Sequence, residues 1–241
     1  VHLTYVPYLA AAGELKTKPT QHSVKELQSI GIQPDILVLR TEHDLSAGLR
    51  KKVAAFCNVA PEAVVQSLDQ PTIYEVPLRM QEQGLDATIL RKLDMPVGET
   101  PGLGPWRSFL DRRHKATEEV HIGLVGKYDL QDAYKSILEA LSQAGTYNDR
   151  KVVTHYIDSE KITRDNVAET LAPMAGIVIC PGFGQRGTDG KILAAQYCRE
   201  TDKPTFGICL GMQMMVIEFA RNVLGYADAH SAEMGRKTPH N

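Results

Sequence analysis

A cysteine set between two glycines, Gly207-Ile208-Cys209-Leu210-Gly211, constrains this chain more than any other feature. It follows the run Pro204-Thr205-Phe206 and precedes a helical run over 212–222. It therefore reads as a sharp strand-to-helix turn with the cysteine at its apex, the thiol counterpart of the G-x-S-x-G elbow. Such a turn strains the backbone of its central residue, and the flanking glycines let neighbouring chain pass close by. The sulfur then sits at a helix N-terminus, where unpaired N–H groups and the helix dipole favour negative charge. The rival reading is a buried cysteine in a tight turn, since free Cys is among the most buried residue types. The paired glycines favour the nucleophile.

The rest of the chain supplies the fold that such a turn needs. Residues 118–241 alternate strands (120–125, 152–157, 176–180, 205–208) with helices (132–143, 167–171, 192–199), the pattern of a parallel sheet. The run Ile177-Val178-Ile179 fits a strand buried on both faces. Residues 1–93 predict strands at 2–6, 36–40 and 64–68 and helices at 46–56 and within 74–83. A further helix is predicted at 23–30, opened by a capping box of Ser23 and Glu26. Between the blocks, residues 94–117 carry Pro96, Gly98, Pro101, Gly102, Gly104 and Pro105, then the charged run Arg112-Arg113-His114-Lys115. This is the composition of an interdomain linker, with Trp106, Phe109 and Leu110 docking a short helix onto one neighbour.

Composition narrows the function classes. The 241 residues suffice for one large domain or two smaller ones, and a formal net charge of -2 gives no support for nucleic-acid binding. Cys57, Cys180, Cys198 and Cys209 are scattered without a C-x-x-C pair, which argues for a reducing compartment and against a structural metal site. No apolar run reaches membrane-spanning length and no signal peptide opens the chain, so a cytoplasmic location is expected. Val1 is not an initiator, and Lys237-Thr238-Pro239-His240-Asn241 stops in a polar stretch, so a piece of a longer polypeptide is expected.

Two loops add site signals. Pro181-Gly182-Phe183-Gly184-Gln185-Arg186-Gly187 follows a predicted parallel strand, where backbone N–H groups face the ligand crevice. With the amide of Leu210 it makes an oxyanion hole. The same stretch fits G-x-G-x-x-G, with Glu200 and Asp202 near the ribose position. However, Thr188-Asp189-Gly190 is expected to delay the helix that a dinucleotide site needs, and the strand is not the first of its block. In the first block, Lys16-Thr17-Lys18-Pro19-Thr20-Gln21 puts two lysines beside a helix start, which suits a polyphosphate, and Lys51 and Lys52 add charge. Gly126-Lys127-Tyr128 lacks the spacing and the Ser/Thr of a P-loop.

The runs His2-Leu3-Thr4-Tyr5-Val6-Pro7-Tyr8, Gly13–Ser23 with its Lys-Thr-Lys-Pro-Thr-Gln core, and Gly31-Ile32-Gln33-Pro34-Asp35-Ile36 resemble the CTP synthase family. So do Gly126-Lys127-Tyr128, Asp132-Ala133-Tyr134-Lys135-Ser136 and the cysteine elbow, which all class I glutamine amidotransferases share. The resemblance implies an α/β chain of two domains. Residues 1–93 would be the C-terminal part of a P-loop-type amidoligase domain, 94–117 a linker, and 118–241 the N-terminal part of a flavodoxin-like, parallel-sheet glutaminase domain, truncated. It implies ATP with Mg2+, whose ligands are expected upstream, no organic cofactor, and no metal ligand within this chain. The implied partners are UTP, ATP, glutamine, CTP as feedback inhibitor, GTP as activator, and three further copies in a homotetramer, with no nucleic acid and no membrane.

Carried over by position, Cys209 is the glutaminase nucleophile, Gly182 and Leu210 supply oxyanion amides, and Phe183, Gln213 and Glu233 hold glutamine. Lys16, Lys18, Gln21 and Lys52 bind UTP or CTP, and Phe56 is a further nucleotide-site position. The chain departs from the family at Cys180-Pro181-Gly182-Phe183-Gly184, where many members carry Pro-Gly-Gly-Phe-Gly. Pro181 has no N–H to offer, so Gly182 carries more weight. The family's base, a histidine with glutamate two residues on, matches none of the eight histidines, and His230 precedes Glu233 by three. His121 and His155 fall on predicted strands and read as structural. The chain alone is therefore expected not to make CTP. The alternatives are a non-catalytic cysteine-elbow sensor or binding domain and a dinucleotide-binding oxidoreductase domain.

Overall fold

Apolar β-branched runs separated by amphipathic stretches build two units, Val1–Leu110 and Asp111–Asn241. The computed structural model describes residues 1–99, 102–128, 131–234 and 238–240, so Pro101 of the linker and Lys237 and Asn241 of the polar tail lie outside the described residues.

In the first unit the strands are β1 (His2–Tyr5), the short antiparallel pair β2 (Tyr8–Leu9) and β3 (Glu14–Leu15), β4 (Leu37–Thr41) and β5 (Val64–Leu68). The helices are α1 (Lys18–Ser29), α2 (Ala47–Cys57), α3 (Val76–Glu82) and α4 (Leu85–Lys92), and α5 (Gly104–Lys115) begins in this unit and runs past its last residue, Leu110. β1, β4 and β5 pair in parallel in that order. Leu37 and Leu39 of β4 pack with Val24 of α1 and Val53, Ala54 and Cys57 of α2 in one buried cluster. Ser46 caps α2 by accepting from Leu49 N–H at 3.2 Å. The helix α1 begins at Lys18 instead of at the capping box read from the sequence. Pro19 starts it, and the Ser23 hydroxyl is engaged by His2 Nε2 at 2.9 Å. The β2–β3 pair and α4 are elements that the sequence reading did not contain. Within the stretch read as a linker, α5 places Trp106 Nε1 2.7 Å from Tyr74 O.

The second unit runs β6 (Glu119–Gly126), α6 (Lys135–Tyr147), β7 (Lys151–Asp158), α7 (Val167–Leu171), β8 (Gly176–Ile179), α8 (Thr188–Glu200), β9 (Thr205–Gly207) and α9 (Leu210–Asn222). Its strands are all parallel, in the order β7-β6-β8-β9. Strand alternation sorts its core into two layers. Val125, Ile177 and Ile179 pack with Leu171 of α7 and Ala194, Ala195 and Cys198 of α8. Leu124, Val178 and Cys180 pack with Tyr134 and with Ile137, Leu138 and Leu141 of α6. Helices therefore cover both faces, and β6, β8 and β9 end together at one carboxyl edge, where such sheets bind ligands.

Candidate functional site

At that edge β9 turns into α9 through Cys209, whose backbone lies at φ 51°, ψ −112°. The other described non-glycine residues with positive φ are all Asn or Asp, so this cysteine is held where side chains rarely go, a strain of about 1–3 kcal/mol. The flanking glycines explain how. A Cβ at Gly207 would lie 2.7 Å from Met212 N, and one at Gly211 would run into Ile179 O at the end of β8. Ile208 N–H donates to Ile179 O at 3.0 Å, pinning the turn to β8. Burial raises the Cys57 and Cys198 thiols and pushes Cys180 up to about 12. Cys209 is the exposed one of the four.

The loop after β8 runs beside the elbow. Gly182 is buried, and a Cβ there would stand 3.4 Å from the Leu210 side chain. Leu210 is the first residue of α9, so its N–H has no partner within the helix. The structure thus brings Cys209, Gly182 and Leu210 together. Phe183 is 79% exposed, and its N–H donates to the Tyr128 hydroxyl at 3.2 Å. Gln213, on the first turn of α9, donates from Nε2 to Glu233 at 3.2 Å, which joins two of the residues assigned to glutamine. The expected delay of the next helix is not seen: α8 opens at Thr188, directly after Gly187 at φ 71°. The objection that stands against a dinucleotide site is position, since β8 is the third strand of its unit in chain order.

Two residues of this edge were missed as site residues. Lys191 is fully buried on α8, and its Nζ donates to Cys180 O at 2.5 Å and reaches Pro181 O at 3.4 Å. Burial pushes its pKa down to about 8. Lys127, 3% exposed at the end of β6, donates to Phe183 O, to Gly184 O at 2.8 Å and to Arg186 O at 3.0 Å. Burial, and after it the Arg186 charge, holds its pKa below the ordinary lysine value. A signal for Lys191 existed: it sits three, four and seven residues before the buried Ala194, Ala195 and Cys198, on the inward stripe of α8. In the sequence Lys127 stands in the Gly126-Lys127-Tyr128 run, which fails the P-loop pattern and shares the family resemblance, and nothing local gives it a role at the site.

In the first unit, Lys16 pairs with Glu14, Lys18 opens α1, and Gln21 Nε2 donates to Thr17 Oγ1 at 3.1 Å. Lys52 and Phe56 are exposed on α2 at i,i+4 spacing, and so on one face of it. Helix α1, which carries Lys18 and Gln21, packs on α2, which carries Lys52 and Phe56. His121 and His155 lie on neighbouring strands with ring nitrogens 2.8 Å apart, and the His230 ring accepts from Ser231 N–H at 2.8 Å. Among the described residues no three or more His, Cys, Asp or Glu side chains group to hold a metal ion, and no helix is long and apolar enough to cross a membrane.

Comparison with known proteins agrees with this geometry. The profile described as glutamine amidotransferase class-I matches residues 129–240, and the one described as CTP synthase N-terminus matches residues 1–95. The second unit is thus a class-I amidotransferase fold with a cysteine elbow. The CTP synthase of Bacteroides thetaiotaomicron is 75% identical over 243 residues, an alignment covering all of this chain and 45% of that protein. That of Porphyromonas gingivalis is 63% identical over 241 residues, again across the whole chain. A solved glutaminase domain of Trypanosoma brucei CTPS with bound acivicin is 40% identical over 50% of this chain and 48% of that one, with a TM-score of 0.48. The chain belongs to the CTP synthase family. It spans about 45% of the length of these curated relatives.

Proposed function

We propose that this chain is the central part of a CTP synthase, joining the C-terminal part of a P-loop-type amidoligase domain (1–93) through a linker (94–117) to the N-terminal part of a flavodoxin-like glutaminase domain (118–241). The observation that carries this reading is the exposed Cys209 at positive φ between β9 and α9, with the Gly182 loop beside it. In the reaction the Cys209 sulfur attacks the side-chain carbonyl carbon of glutamine, and the carbonyl oxygen takes the negative charge. The Gly182 and Leu210 amides hold that oxygen, ammonia leaves, and water hydrolyses the thioester to glutamate. Phe183, Gln213 and Glu233 hold the glutamine.

The ammonia then aminates UTP at the amidoligase site, at the expense of ATP with Mg2+. Lys16, Lys18, Gln21 and Lys52, with Phe56 beside them, bind UTP and, in feedback, CTP. The pocket is completed between subunits of a homotetramer, and GTP activates the coupling. The enzyme acts in the cytoplasm.

The test is CTP formation by the full-length protein carrying this segment, wild type against Cys209→Ala, with glutamine or ammonia as donor. Loss of the glutamine reaction with the ammonia reaction retained is the expected result. A folded wild type that makes CTP from neither donor would sink the assignment.

A further inference from the structure

The ammonium group of Lys127 has three donors and no acceptor, and all three are used on carbonyls of one short loop: Phe183 O, Gly184 O and Arg186 O. The loop returns a bond, since Arg186 donates to Lys127 O at 2.9 Å. The lysine stem lies against the same loop, with Cε 2.6 Å from where a Gly182 Cβ would stand. On the other side, Lys191 holds Cys180 O and reaches Pro181 O. Neither ammonium has a carboxylate within ion-pair distance among the described residues, and burying a charge without one is expensive. A hydrophobic residue in either place would serve stability better, so the geometry calls for another reason.

That reason lies in the peptide plane. In a trans peptide the C=O and the following N–H point opposite ways, and every described peptide bond is trans. Turning the carbonyls of Pro181, Phe183 and Gly184 toward buried ammonium groups therefore turns the N–H groups of Gly182, Gly184 and Gln185 away from them. Among the described residues no acceptor takes the Gly182 N–H. Gly182 packs against Leu210, next to Cys209.

We propose that Lys127 is the positioning residue of the oxyanion loop: from the interior it holds the carbonyls of Phe183, Gly184 and Arg186 and packs its stem against Gly182, anchoring the loop so that the Gly182 amide, whose own peptide carbonyl Lys191 reaches, is set before the attack on glutamine. Lys127 touches no reacting atom and acts through the loop. The inference rests on the glutaminase reading of Cys209.

The experiment uses the full-length synthase with Lys127→Met, which keeps the stem and removes the three donors, and Lys127→Gln as a second variant should the first not fold. Glutamine hydrolysis is measured alongside alkylation of Cys209 by iodoacetamide. Alkylation is a displacement at a saturated carbon in which sulfur replaces iodide and no oxyanion forms. The expected result is a kcat lowered about 100-fold with KM little changed, and an alkylation rate like that of the wild type. Unchanged kcat overturns the proposal and leaves the glutaminase reading intact. A parallel fall of hydrolysis and alkylation also overturns it, because the elbow itself would then have moved. A wild type without Cys209-dependent hydrolysis removes the reading beneath it.

Discussion

A lysine with no exposed surface and no carboxylate partner makes its own pH dependence. Lys191 titrates near 8 in the folded chain against an ordinary value of 10.5, so between these pH values the unfolded chain binds the extra proton. Stability from this residue therefore rises as pH climbs through about 8, and below that the buried charge opposes folding by about 3 kcal/mol. Urea unfolding of wild type and Lys191→Met should diverge accordingly, the wild type gaining about 1 kcal/mol on the variant between pH 7.5 and 9. A constant difference across that range would mean that Lys191 stays charged when buried, its pKa not lowered. At this scale the sequence was a partial guide. The elbow was legible because its cause is local: two glycines in contact with neighbouring chain and one cysteine at positive φ. Lys127 and Lys191 were not read as site residues, because the carbonyls they hold are chosen by the sheet.

Among elements, the joint between α9 and the end of β8 carries the site. Gly211 sits where any side chain would collide with Ile179 O, and backbone cannot yield as a flexible side chain does. Gly184, also in the site, has open space around it and φ 70°. Gly184→Ala should cost only about 1 kcal/mol of conformational strain. Gly211→Ala should cost several times as much, or abolish soluble protein. Thermal melts of the two variants decide it, and equal losses would show that the contact with β8 does not hold the elbow. Element type was readable for most of both units, because a continuous β-branched run survives in Ile177-Val178-Ile179 and the 3.6-residue period in the stripe of α8. Boundaries moved where a tertiary bond intervened. Ser23 was read as a cap and is instead bonded to His2, while the helix begins at Lys18, five residues earlier than expected, with Pro19 in its first turn.

For the molecule as a whole, the second unit leaves one side uncovered: Phe206 on the edge strand β9, and Met212, Val216 and Phe219 on α9 with Leu224 beyond it, are each between 46% and 66% exposed. Apolar area of this kind binds other apolar surface. The 241-residue chain by itself should bind the dye ANS and self-associate, and Val216→Lys with Phe219→Lys should reduce both, as read by dye fluorescence and light scattering. A monomeric chain that leaves the dye dark would contradict this. The sequence alone determined that the chain is α/β, that its second block winds a parallel sheet, and that Cys209 stands at a strand-to-helix turn, since each follows from residues within a few positions of one another. The tertiary structure decided the strand order β7-β6-β8-β9, which sets the end of β6 beside the loop after β8. It thereby brought Lys127 to carbonyls 56 to 59 residues away in sequence. Periodicity along a chain reports which face of an element is buried, and only the pairing of distant strands reports what lies against it.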